Sequence, residues 1–541
     1  MRDEPTRRGL LTRGAGLAAA AMLPGGCSEA SAFPGTLDGV DMARGHRLRD
    51  HGFPPPAGAN EETVGILIAG GGVAGLAAAW TLAEAGYDDF LVHELEDRAG
   101  GNARSGRNMV SAYPLGAHYL PVPNREARAL RHMLDRFGMI VGADADGVPR
   151  YDPYQLCADL EERLLWRGQW QEGLYPQKGL TPDDAAQRDA FFARMDAYRR
   201  AVGRDARPAF AIPSAYSSRD EEYRALDRQS FGAWLRANGF DSPPLRAHLR
   251  YCCRDDYGTE PDQLSAWAGI HYFAARRGWA ADGDGGRELT WPEGNGRLVA
   301  LMGDRLGDRI RPASTVFRVE RDGDAVIVDR FDHRQQQSVR TRARAAIIAM
   351  PHFVASRVAP AAAPGTSFSY APWIVANVTV GRPPRGRGAP LAWDNVSASS
   401  ESLGYVVAAH QTEAAAGGSR VLTWYLPLSR EAPAEARRIL LRRSLRDWQR
   451  LVADDLLAMN PDLDGAIQRI DIWRWGHAMI RPVPGFLSDP ARTVAQQLTP
   501  PIFHAHSDIS GLSLFEEAHY RGVAAAEAAM QTIGHKFTSL I

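Results

Sequence analysis

Gly70, Gly72 and Gly75 stand within the run Val64-Gly-Ile-Leu-Ile-Ala-Gly-Gly-Gly-Val-Ala-Gly75, and Glu94 follows behind Phe90-Leu-Val-His93. Residue types at this spacing can hold two linked phosphates and a ribose. Gly70 permits a tight turn, Gly72 lets the backbone approach a pyrophosphate, and Gly75 lets a helix pack closely on the strand before it. The Glu94 carboxylate can accept hydrogen bonds from ribose hydroxyls. Arg98-Ala-Gly-Gly-Asn-Ala-Arg-Ser105 comes next. There Gly100 and Gly101 let the chain pass close to a long ligand, while Arg98 and Arg104 can meet phosphate oxygens. The chemistry on offer is dinucleotide binding.

The positioning elements can be read around these residues. Val64 to Ala69 has the unbroken apolar run of a strand buried on both faces, a helix starts near Val73, and Phe90 to Val92 is a second strand. The helix N-terminus presents free N–H groups and a positive dipole end to phosphate. The pattern at 98–105 resembles the R-x-G-G-[RN]-x-x-[ST] signature of the flavin amine oxidase superfamily, which also includes protoporphyrinogen oxidases and phytoene desaturases. The resemblance implies FAD rather than NAD, and it covers residues 61 to 530 in discontinuous blocks. Ile502-Phe-His-Ala-His-Ser-Asp508 and the small-residue run Gly522 to Ala526 look like the family's closing motif. By that resemblance Asp508 contacts the ribityl–pyrophosphate region, Gly522 belongs to a packing face, and Val316 lies against the adenine.

The fold class that follows is α/β. A Rossmann-type FAD-binding domain is expected over 61–135, 285–365 and 465–541, with a discontinuous α+β substrate-binding domain over 136–284 and 366–464. Thr181-Pro-Asp-Asp184 predicts a helix start, with a hydroxyl cap, proline in the first turn and acids against the dipole. Helices are also expected over 230–238, from Leu245 to about Tyr251, and over 433–459, with strands between 371 and 427.

A chain of 541 residues with net charge -1 and pI near 7.0 has length for two or more domains and lacks the basic surplus of a dedicated nucleic-acid binder. Lys178 and Lys536 are its only lysines. Cys27, Cys157, Cys252 and Cys253 match no zinc or disulfide spacing, and adjacent Cys252 and Cys253 read as buried thiols. Residues 1–32 read as a signal segment. Thr6-Arg7-Arg8-Gly9-Leu10-Leu11 resembles the twin-arginine export signal, which implies the twin-arginine machinery as a partner and a periplasmic or membrane-anchored destination. Processing is expected either at a lipoprotein-like Cys27 or after Ala30-Ser-Ala32, and lipid at Cys27 is the one membrane attachment foreseen. Residues 33–60, with Pro54-Pro-Pro56, read as a linker.

For the reaction itself, His118, Asn377 and His477 are the candidate catalytic residues. His118 falls where the family chain passes the flavin ring, and His477 shortly precedes the closing motif. Many amine oxidases hold a lysine beside flavin N5; here Asn377 is nearest the corresponding place. The missing lysine implies an electron acceptor other than oxygen, a quinone or redox protein. No closing-motif cysteine occupies the family's attachment position, so FAD is expected to bind without a covalent link. The small-molecule substrate is expected to be an amine, polyamines included. The alternatives are desaturation of an isoprenoid or porphyrin-like compound and a non-catalytic flavin-fold binding protein.

Overall fold

Two sheets organise the chain, and each forms where unbroken apolar runs require burial on both faces. The structure, a computed structural model, describes residues 33–50, 52–58, 61–363, 368–412 and 418–541; Arg7, Arg8 and Cys27 lie outside these. In the first sheet, Glu61–Ala69 sits between Phe90–His93 and Gln337–Ile348, parallel to both. Ile502–His504 adds in parallel beyond, so the closing motif ends next to the first glycine turn. Helices Val73–Glu84 and Phe515–Ile533 cover this sheet and share a core with Ile66, Ile68, Val92 and Ile347.

The second sheet has eight strands, ordered Leu37–Gly39, Ile467–Ile480, Tyr370–Val380, Arg420–Pro427, Tyr405–Val407, Asp394–Ser397, Glu162–Trp166 and Gln169–Glu172. Its central strand, Tyr370–Val380, is buried along its whole length. The Thr181 helix runs Pro182–Arg200 with a full capping box to Asp184, as its sequence predicts. The helix expected to stop near Tyr251 continues to Tyr257, where Gly258 caps it in the left-handed region at φ 55°. The span 433–459 divides into Pro433–Arg442 and Leu445–Met459, because Ser444 and Asp447 form a second capping box.

Two expectations differ from what is observed. Strand Ile467–Ile480, expected in the cofactor domain, belongs to the second sheet through its long antiparallel register with Tyr370–Val380. Residues 33–60 are not simply a linker. Leu37–Gly39 pairs in parallel with Ile472–Arg474, and Met42–Arg49 is a helix whose Asp41 cap accepts from the Arg44 N–H. Both depend on strand partners distant in sequence, Tyr370–Val380 for the one and Ile472–Arg474 for the other, which a local pattern does not reveal.

Candidate active site

A cleft of about 750 Å³ runs from the first glycine turn to the closing helix, within the roughly 300–1,000 Å³ typical of ligand sites. The turn is shaped by its glycines. Gly70 adopts φ 110°, and a Cβ on Gly75 would stand 1.9 Å from the Gly70 carbonyl oxygen, so the helix packs this closely only with glycine there. Gly72 is different. A Cβ there would meet only the Gly101 Cα, at 3.9 Å, so two bare backbones face one another across a channel. Helix Val73–Glu84 has no side-chain cap and opens its first turn on this channel, as does Phe515–Ile533 from the far side. These features fit a pyrophosphate held by backbone N–H groups.

Glu94 lines the cleft with its carboxylate fixed by the Gly71 and Glu96 N–H groups at 2.7 and 2.8 Å. Burial raises its pKa, and those two bonds partly oppose the shift. Arg104 donates to the Gly101 carbonyl at 3.2 Å, pairs with Glu96 at 3.3 Å and lies over the Trp473 and Trp475 rings. Val316, Gly101, His477 and Asp508 share the lining. Asp508 accepts from the His352 N–H at 2.9 Å and the Tyr370 hydroxyl at 2.7 Å, with His506 at 3.0 Å. Burial pushes its pKa up, but His506 and these donors outweigh it and hold the carboxylate below its ordinary value.

Other predicted residues act by packing or lie elsewhere. Gly522 packs on the first helix: a Cβ there would come within 2.2 Å of the Ala74 carbonyl oxygen. Gly100, at φ 125°, makes the turn that feeds Gly101 into the channel. Arg98 is exposed and outside the lining, so Arg104 is the arginine of this motif that meets the cleft. Asn377 is buried in the second sheet, accepting from the Thr423 hydroxyl at 2.8 Å and donating to the Pro114 carbonyl at 3.3 Å. Its amide is committed to holding chain segments together, and it does not line the cleft. His477 does, stacked on Phe353 with ring centroids 4.4 Å apart, and burial followed by Arg437 lowers its pKa to about 4.

His118 stands just beyond this lining. Ala117 lines the cleft, and the next side chain stacks on Tyr425 at 4.5 Å with Trp393 at 5.6 Å. Its Nδ1 lies 3.3 Å from the Gly116 carbonyl oxygen, and burial lowers its pKa to about 4, so the ring is neutral near pH 7. Around Tyr119 gather Glu162, Asp255, Asp256, Glu288 and Asp394. The Tyr119 hydroxyl lies 3.4 Å from Asp255 and 3.5 Å from Asp256, and Tyr251 donates to Asp394 at 3.1 Å. Arg276 is spent on Asp256, at 2.7 and 2.9 Å.

Burial first, and the neighbouring carboxylates second, raise Glu162 to about 7 and push Glu288 and Asp394 well above their ordinary values. All three are half-buried rather than fully enclosed. The buried Tyr425 hydroxyl has no hydrogen-bond partner among the described residues, and it senses Asp394 and Asp255. An acid-rich cluster with an unpaired hydroxyl is suited to a cation that supplies the missing charge and donors. Its acids come from four separate elements. Glu162, Glu288 and Asp394 carry no local signal, and the adjacent pair Asp255 and Asp256 reads in sequence like a solvated helix face. Trp267 and His271, by contrast, stack in an ordinary helical core.

A Rossmann-type sheet, two helix N-termini on a glycine channel and an acid at each end of the cleft define an FAD-dependent oxidoreductase. A family model described as flavin containing amine oxidoreductase matches residues 73–530. A Mycobacterium tuberculosis protein named as a flavin-containing monoamine oxidase is 28% identical over 271 residues, 49% of this chain and 53% of that one. Amine oxidase A (flavin-containing) of Equus caballus is 26% identical over 283 residues, 50% of this chain and 47% of that one. The chain thus spans about half the length of the curated relatives it matches. A wild-type putrescine oxidase solved with putrescine shares the fold with TM-score 0.62 at 18% identity, covering 87% of this chain and 100% of that one. Cyclohexylamine oxidase from Brevibacterium oxydans does so with TM-score 0.62 at 17% identity, covering 87% and 99%. The chain belongs to the flavin-containing amine oxidoreductase family.

Proposed function

We propose that this chain oxidises an amine carrying two or more positive charges, a diamine or polyamine. The observation that carries the reading is the acid cluster of Glu162, Asp255, Asp256, Glu288 and Asp394, gathered around Tyr119 two residues beyond the cleft-lining Ala117. Bound FAD supplies a hydride acceptor for the C–H bond next to nitrogen. Gly72, Gly101, Arg104, Glu94 and Asp508 would hold it without a covalent link. Glu162, Glu288 and Asp394 would hold the distal ammonium, while His118, Tyr425 and Trp393 bracket the carbon chain and exclude water. The carboxyl of Glu162, with its pKa near neutrality, can hold or release a proton at working pH. So much buried acid disfavours an isoprenoid or porphyrin-like substrate. Among relatives of the same fold, one was solved with putrescine and another is named for a cyclic amine, which agrees with amine chemistry.

The reading extends to the electron acceptor. No lysine is among the cleft-lining residues, so reduced flavin lacks a cationic ammonium partner for oxygen, and a quinone or redox protein is the proposed acceptor. Export by the twin-arginine machinery, with either lipid at Cys27 or cleavage after Ala32, completes it; fractionation of cells making an Arg7→Lys, Arg8→Lys variant tests that part. The central test is anaerobic. Putrescine or spermidine should bleach the flavin far faster than a simple monoamine or a polyene, and colour should return slowly when air is admitted. Equal bleaching by monoamine and diamine would sink the polycation reading, and rapid recolouring with hydrogen peroxide the acceptor.

A further inference from the structure

Residues 33–50 lie before the family match, which begins at residue 73, and several of them line the cofactor cleft. At one end the segment is fastened to the second sheet. Leu37, Asp38 and Gly39 pair with Ile472, Trp473 and Arg474, the Ile470 and Ile472 N–H groups donate to the Pro34 and Thr36 carbonyls, and Gln449 donates to Phe33. At the other end it is fastened to the first sheet, beside the ribose acid. The Asp41 N–H donates to Glu96 at 2.8 Å, and Arg44 reaches the Leu95 carbonyl at 2.8 Å and Asp97 at 3.0 Å. Leu48 is buried against Val64, Leu67 and Val316, and Arg47 lies over the Phe53 and Phe331 rings. Between these anchors Gly39, Val40, Asp41, Met42, Gly45 and His46 line the cleft, and the exposed His46 is close enough to His477 to lower its pKa.

We propose that residues 33–50 are a retention clasp for the flavin. The segment closes over the ribose–pyrophosphate end of the cleft, so the cofactor leaves only when one anchor is released. This gives a non-covalent flavin slow dissociation without a covalent bond, and it assigns His46 as a contact to the bound cofactor. The geometry also provides a lock. A Cβ on Gly39 would lie 3.4 Å from the Arg474 Cβ, close to the roughly 3.5–4.5 Å of disulfide-linked cysteines, once the Arg474 carbonyl oxygen, 2.8 Å from it, gives way. Cys157, Cys252 and Cys253 are buried and would not compete, and Cys27, outside the described residues, is replaced by serine in every sample.

The experiment loads the protein with FAD and follows free-flavin fluorescence after dilution. Arg44→Ala should speed release about tenfold, the loss of one charge-assisted hydrogen bond's worth of closure. The oxidised Gly39→Cys, Arg474→Cys pair should slow release, and thiol reduction should restore the rate of the same sample, with Arg474→Cys alone as control. His46→Ala should speed release without disturbing either anchor. Release that is unchanged by Arg44→Ala and by the disulfide, with FAD bound in both, overturns the clasp alone. Protein that takes up no FAD overturns the cofactor assignment and the clasp together.

Discussion

Glu162 shows how a single side chain reports on the acid cluster. Burial and then Glu161 raise its pKa from 4.5 to about 7. A carboxyl that binds its proton more tightly folded than unfolded makes folding take up protons between those values. The free protein therefore loses stability as pH rises from 4.5 to 7, and the contribution is fully favourable only below that window. A bound dication reverses the demand by stabilising the ionised form, so its affinity should rise with pH across the same range. Anaerobic titration with putrescine from pH 5 to 8 checks the sign; the wild type should tighten, and Glu162→Gln should flatten the profile. Asp394→Asn should weaken binding by about 10–100-fold, the scale of one hydrogen bond to a charged group. A pH-independent affinity in the wild type would remove Glu162 from the site.

At the scale of elements, the closing helix and the first helix meet at glycine. A Cβ on Gly522 would also stand 3.0 Å from the Ala77 Cβ and the Ala78 N. Gly522→Ala should cost about 1–3 kcal/mol as overpacking, and it should loosen FAD as well, because both helices open on the cleft. Thermal melting with and without added FAD reads both effects, and an unchanged melting temperature would show that the helices part easily. This helix pair, the glycine turn and Glu94 were legible in sequence because each states its role locally: a strand ends, a backbone must turn, an acid follows. The acid cluster was not legible. Glu162, Asp255, Glu288 and Asp394 become neighbours only through tertiary structure, Asp394 and Glu162 by facing one another as strand partners. The clasp was hidden for the same reason, since Leu37 finds Ile472 across nearly the whole chain. Asn377 spends its amide on Thr423 and Pro114, a commitment that no local pattern reveals.

At the scale of the molecule, the near absence of lysine has a consequence for what leaves the site. Oxidising a primary amine gives an imine that water converts to an aldehyde, a compound that condenses with primary amines. Lys178 and Lys536 are exposed, one in the loop before the Thr181 helix and the other in the tail after the closing helix, and neither lines the cleft. Guanidinium groups stay protonated and form no simple Schiff base, so neither lysine nor arginine in the cleft lining offers an amine for such an aldehyde to condense with. Amine-directed labels at Lys178 and Lys536 would accordingly attach outside the cleft.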